Sequence, residues 1–115
     1  AHYLESRRGL DVRLPSIVPG NNHTWHQFTV RSTRRDALQS FLKEREIDSM
    51  IYYPVPIHYH APYRRVGNGE GSLPETEAAA REVLSLPVHP HMTDEQVAWV
   101  IESVAQFASP VGRPA

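Results

Sequence analysis

Residues 52–63 constrain this chain more than any other stretch. Tyr52-Tyr53-Pro54-Val55-Pro56-Ile57-His58-Tyr59-His60-Ala61-Pro62-Tyr63 places three prolines among four tyrosines and two histidines. Each proline fixes φ and removes an amide donor, so the segment can be neither a continuous helix nor a central strand. Each also pushes its predecessor (Tyr53, Val55, Ala61) toward extended backbone. The expectation is a stiff, extended loop that displays rings and imidazoles from a rigid scaffold, where binding chemistry commonly sits. An ordinary proline-rich crossover with partly buried tyrosines fits the same composition.

The scaffold has 115 residues to draw on, enough for one domain with a modest core. A net charge of −1 sets up no field to attract nucleic acid or an anionic membrane. The chain has no cysteine, which excludes disulfide and thiolate chemistry and fits a cytoplasmic setting. No apolar run approaches the ~20 residues of a membrane-spanning helix.

Local patterns outline the elements in order. Residues 1–8 read as the end of a helix stopped at Gly9, which implies a piece of something longer. Residues 25–31 read as a strand with His26, Phe28 and Val30 on one face and Trp25, Gln27, Thr29 and Arg31 on the other. Thr33 and Asp36 form a variant capping box for a helix to about Glu46, with Ala37, Leu38, Phe41 and Leu42 as its apolar stripe. Residues 47–53 read as a second strand. Residues 67–72 are a glycine-rich link without the G-x-G-x-x-G order or lysine of a phosphate loop. Pro74 suits the first position of a helix running through Val83 and Leu84, with Thr76, Ala79 and Ala80 on its inner side. Residues 85–88 read as a short third strand. Thr93 and Gln96 form a capping box, and Met92 and Val97 a hydrophobic staple, for a last helix that buries Val97, Val100, Ile101, Val104 and Phe107. The fold class expected from this order is α/β, a two-layer sandwich with helices packed on one face of a small sheet.

Side-chain chemistry narrows the function. The seven histidines include His58-x-His60, His89-x-His91 and His23-x-x-His26. On an extended chain the i, i+2 spacing aims both rings the same way, as a metal module would need. A third ligand and supporting partners are missing nearby in sequence, so no metal ligand is assigned. No G-x-S-x-G occurs, and Ser85 and Ser103 fall within regular elements, which argues against a hydrolytic triad. Lys43 is the one lysine and sits mid-helix among charges. A Schiff-base lysine needs a desolvated setting, so no catalytic residue is assigned in this chain.

Four blocks carry a family resemblance: His26-Gln27-Phe28-Thr29-Val30-Arg31; Arg35-Asp36-Ala37-Leu38 with Leu42 and Ile47; Tyr53-Pro54-Val55-Pro56-Ile57-His58 with Ala61 and Tyr63; and Leu73-Pro74-Glu75-Thr76-Glu77 leading to Leu84-Ser85-Leu86-Pro87-Val88-His89-Pro90. Together they resemble the C-terminal (small) domain of the DegT/DnrJ/StrS nucleotide-sugar aminotransferases. The resemblance implies the aspartate-aminotransferase-like fold (fold type I) and pyridoxal 5'-phosphate as cofactor, held by a large domain absent from this chain. It implies transfer of an amino group, commonly from glutamate, to a nucleotide-linked keto-sugar for polysaccharide or antibiotic sugar biosynthesis, in a cytoplasmic homodimer that engages neither nucleic acid nor membrane. Residues 1–9 would end the interdomain helix, 10–108 form the small domain and 109–115 a frayed tail. His58, Tyr53 and Tyr63 match the block near the substrate and are the substrate-binding candidates. A dehydratase using pyridoxal or pyridoxamine phosphate and a non-catalytic regulatory relative share the fold; a histidine-based metal module is the alternative of another class. Glu46 stands where the family usually has glycine, a position suited to left-handed backbone.

Overall fold

The computed structural model describes residues 12–108. The helix end expected at residues 1–9 and the tail expected at 109–115 lie outside them. The centre is an antiparallel pair, β1 (Phe28–Arg31) and β2 (Val83–Leu86), with Phe28 opposite Leu86 and Val30 opposite Leu84. Alternation places these four apolar side chains on one face, where all are buried. Helices α1 (Arg35–Glu44) and α3 (Asp94–Ala108) cover that face with Leu38, Leu42, Val100, Val104 and Phe107. Helix α2 (Pro74–Glu82) runs directly into β2. On the other face the Thr29 and Ser85 hydroxyls bond at 2.8 Å, and the Arg31 guanidinium meets Glu82 at 2.7 Å. Single bridges widen the sheet on both sides, Arg13 to Arg31 and Met50 to Ser85.

Several expectations shift by a few residues for identifiable reasons. β1 starts at Phe28 because Trp25 is left-handed (φ 54°), its amide donating to His23 Nδ1 at 2.8 Å while the two rings stack. The strand expected at 47–53 shrinks to the one Met50 bridge, squeezed between the end of α1 and Pro54. α2 ends at Glu82 and β2 begins at Val83, two residues early. There pairing with β1 overrides helix continuation, and the buried Arg35 guanidinium donates to the Ala80 and Val83 carbonyls at 3.0 and 3.2 Å. The capping box at Thr33 does not form: α1 starts at Arg35, one residue out of register, and Asp36 instead accepts from Arg35 Nε at 2.6 Å. Ala37 is consequently exposed.

The box at α3 does form. The Gln96 amide donates to Thr93 Oγ1 at 3.1 Å, and the Thr93 amide donates to Gln96 Oε1 at 3.0 Å. Met92 and Val97 pack against the core beside it. Arg45 ties α1 to α3: its guanidinium lies 4.6 Å from the Phe41 ring and 5.4 Å from Trp99, and its carbonyl accepts from Trp99 Nε1.

Glu46 is left-handed, with φ 61°. The Glu46 amide donates to the Lys43 carbonyl and the Ile47 amide to the Leu42 carbonyl, the paired bonds of a Schellman motif. Buried Leu42 and Ile47 give the motif its hydrophobic contact. Left-handed backbone costs an L-residue about 1–2 kcal/mol, part of which glycine's freer unfolded chain would return. Glu46→Gly is therefore expected to raise the unfolding free energy by about 1 kcal/mol or slightly less. A urea midpoint that stays put or falls would count against strain at this cap.

Candidate functional site

The proline-rich segment is less extended than its composition suggests. Pro56 and His60 are extended, but between and after them lie two 3-10 turns, Ile57–Tyr59 and Ala61–Tyr63. Each turn is closed by an amide reaching back three residues, Tyr59 to the Pro56 carbonyl, His60 to Ile57 and Tyr63 to His60. At three residues per turn, positions i and i+2 point about 120° apart. His58 and His60 therefore diverge, where an extended chain would have aimed them together.

His60 is exposed and borders a groove of about 520 Å³. Tyr52, Tyr53, Val55 and Ile57 form one wall of that groove, and Thr76, Ala79 and Val83 of α2 and its continuation form the other. Thr76 and Ala79, expected to face inward, thus face the groove. Tyr53 is 72% exposed, and its ring meets that of Tyr52 edge-on at 5.6 Å. Tyr63 is half exposed at the end of the second turn and does not border the groove.

His58 is placed differently from both tyrosines. Its side chain is buried, and Nε2 lies 2.8 Å from Glu77 Oε1, itself buried on α2. The same carboxylate oxygen accepts the Gly71 amide at 2.7 Å. The hydrogen bond with His58, then the Gly71 amide and the Tyr59 phenol, hold the Glu77 carboxyl below its ordinary value against the opposing effect of burial. Burial first, and the Glu77 carboxylate second, push the Tyr59 phenol up. Glu77 lies 19 residues from His58. An acid in a helix's first turns looks like ordinary macrodipole chemistry, so its place in the sequence gives no sign of this role.

Among the described residues no three histidine, aspartate or glutamate side chains come together to hold a metal. The rings of His89 and His91 stand 6.4 Å apart. No helix among the described residues is long and apolar enough to cross a membrane.

The sequence model of the DegT/DnrJ/EryC1/StrS aminotransferase family matches residues 2–105. The chain belongs to that family. Among similar members, the dTDP-3-amino-3,4,6-trideoxy-alpha-D-glucose transaminase of Streptomyces venezuelae is 45% identical over 112 residues, 96% of this chain and 30% of the relative. The pleiotropic regulatory protein of Geobacillus stearothermophilus is 46% identical over 104 residues, 90% of this chain and 28% of the relative. The crystal structure of S. venezuelae DesV with a ketimine intermediate superposes with a TM-score of 0.91 at 43% identity, covering 99% of this chain and 30% of that one. A DegT/DnrJ/EryC1/StrS aminotransferase from Brucella abortus gives 0.85 at 30% identity, covering 94% of this chain and 29% of that one. The α/β architecture is thus that of a portion of the aminotransferase fold, and the chain spans under a third of the length of these family members.

Pyridoxal phosphate is the cofactor that aminotransferases imply. The described residues do not fit it as a covalent anchor. Lys43, the one lysine of the chain, is exposed on the outer face of α1, without the desolvated pocket that a Schiff-base lysine needs.

Proposed function

We propose that this chain is the small-domain portion of a pyridoxal-phosphate-dependent aminotransferase acting on a nucleotide-linked keto-sugar, with the cofactor and its lysine supplied by a larger part of the same protein. The observation that carries this reading is the joint match to the S. venezuelae transaminase and to DesV over nearly the whole chain, at 45% and 43% identity. Glutamate as amino donor and assembly as a homodimer belong to the same proposal. Within it the exposed phenols of Tyr53 and Tyr63 are suited to sugar hydroxyls and phosphate oxygens, being both donor and acceptor. His58 contributes from a buried position. A dehydratase on the same fold would differ at the cofactor lysine, outside this chain.

The test is a domain exchange. This chain replaces the aligned 112 residues of the S. venezuelae transaminase, and formation of dTDP-3-amino-3,4,6-trideoxy-alpha-D-glucose is followed. Retained turnover supports the proposal. A folded, cofactor-loaded chimera without turnover would sink it and favour a regulatory reading, to which the name of the G. stearothermophilus relative points. A second expectation concerns Lys43: borohydride reduction of this chain with pyridoxal phosphate should leave no stoichiometric adduct, and finding one there would overturn the division of labour.

A further inference from the structure

We propose that Glu77 is the positioning residue of the proline-rich loop: its carboxylate ties His58 and the Gly71 amide into one buried strut, so the imidazole that the loop presents to the groove is His60 and not His58. The strut itself stands on geometry alone. That His60 meets substrate rests on the functional reading above.

A carboxylate can only accept hydrogen bonds, so His58 must donate through Nε2–H, which fixes its tautomer and leaves Nδ1 as the second ring site. The same oxygen holds the Gly71 amide, so one side chain of α2 fastens both the 3-10 turn and the glycine link that precedes the helix. His58 has little room to swing out. Its side chain is 7% exposed, its ring lies edge-on to Tyr59 at 4.7 Å, and Gly67 lies against it, a β-carbon added there coming to 3.4 Å from His58 Cβ. His60 sits between the two turns with extended backbone and borders the groove together with Tyr53 and Thr76. One buried anchor thereby sets where the aromatic wall stands relative to α2.

Three measurements decide it. In the 115-residue chain, diethyl pyrocarbonate should modify His58 at least about tenfold more slowly than His60, because a buried ring reacts only through local opening. Long-range nitrogen–proton NMR should show the Nε2–H tautomer at His58. Glu77→Ala should abolish both the protection and the fixed tautomer. Glu77→Gln keeps an acceptor oxygen without the charge, so it should keep the tautomer but speed modification of His58. Equal modification of His58 and His60 in the native chain overturns the proposal, as does a His58 rate unaffected by either Glu77 variant. In the chimera described above, His60→Ala should raise KM for the dTDP-sugar while leaving Tm in place, and His58→Ala should lower Tm and kcat together. The reverse assignment overturns the proposal. A chimera without turnover sinks the functional reading, while chemical modification still decides the strut, because it needs no catalysis.

Discussion

Leu42→Ala is expected to destabilise the chain by about 2–5 kcal/mol, the range for truncating a fully buried leucine in a core that cannot collapse around the void. Leu42 has no exposed surface and sits in the cluster with Val30, Leu84 and Val104. Its carbonyl also accepts the Ile47 amide that closes α1, so loosening this residue weakens both the core and the cap. Domains of this size have about 5–15 kcal/mol of net stability, and each kcal/mol moves Tm by about 4–8 °C. The variant should therefore lie close to its unfolding transition at physiological temperature. Ile57→Ala is the internal control. Ile57 is 69% exposed, so its truncation should stay within about 0.5 kcal/mol. Urea midpoints measured side by side provide the check. A Leu42→Ala shift no larger than that of Ile57→Ala would mean that the core lies elsewhere.

Stability should also fall at both ends of the pH scale, and one cluster accounts for both. Glu77 is held below its ordinary value of 4.5, so the unfolded chain takes up a proton there more readily than the folded one. Its contribution is complete above about 4.5 and is lost as pH falls through the lower folded value. The Tyr59 phenol is held above its ordinary value of 10.0. Its contribution is complete below about 10 and is lost as pH rises through the higher folded value. The groups facing this pair are His58 and the Gly71 amide on the Glu77 side, and Glu70 and Arg81 around Tyr59. Denaturant midpoints recorded against pH should thus show a plateau with two shoulders. Glu77→Gln should flatten the acid shoulder, and Tyr59→Phe the alkaline one. Native and Glu77→Gln profiles that superimpose below pH 4.5 would place acid sensitivity in other carboxylates.

Features that depend on a few adjacent residues are legible in the sequence itself. The Thr93 and Gln96 box, the Pro74 start and the apolar stripe of α3 each involve groups within one or two turns, so their local chemistry names them. The left-handed backbone at Glu46 has no such local signature, and only the family resemblance points to it. The α/β class and the family follow from the same local blocks. Less legible are the strands, which depend on partners far along the chain. Val83 reads as the end of a helix until Arg31 lies across from it, and residues 47–53 read as a full strand until the cap of α1 and Pro54 leave room only for Met50.

The sequence by itself determined where the long helices lie, where the prolines forbid a continuous helix or a central strand, and that the one lysine is solvated. Only the tertiary structure decided that His58 turns inward to Glu77 while His60 turns toward the groove. The reason is physical. A propensity or a cap is settled by neighbours in the chain, whereas a buried hydrogen bond between side chains needs two groups brought together across 19 residues, and which donors a carboxylate gathers is chosen by packing.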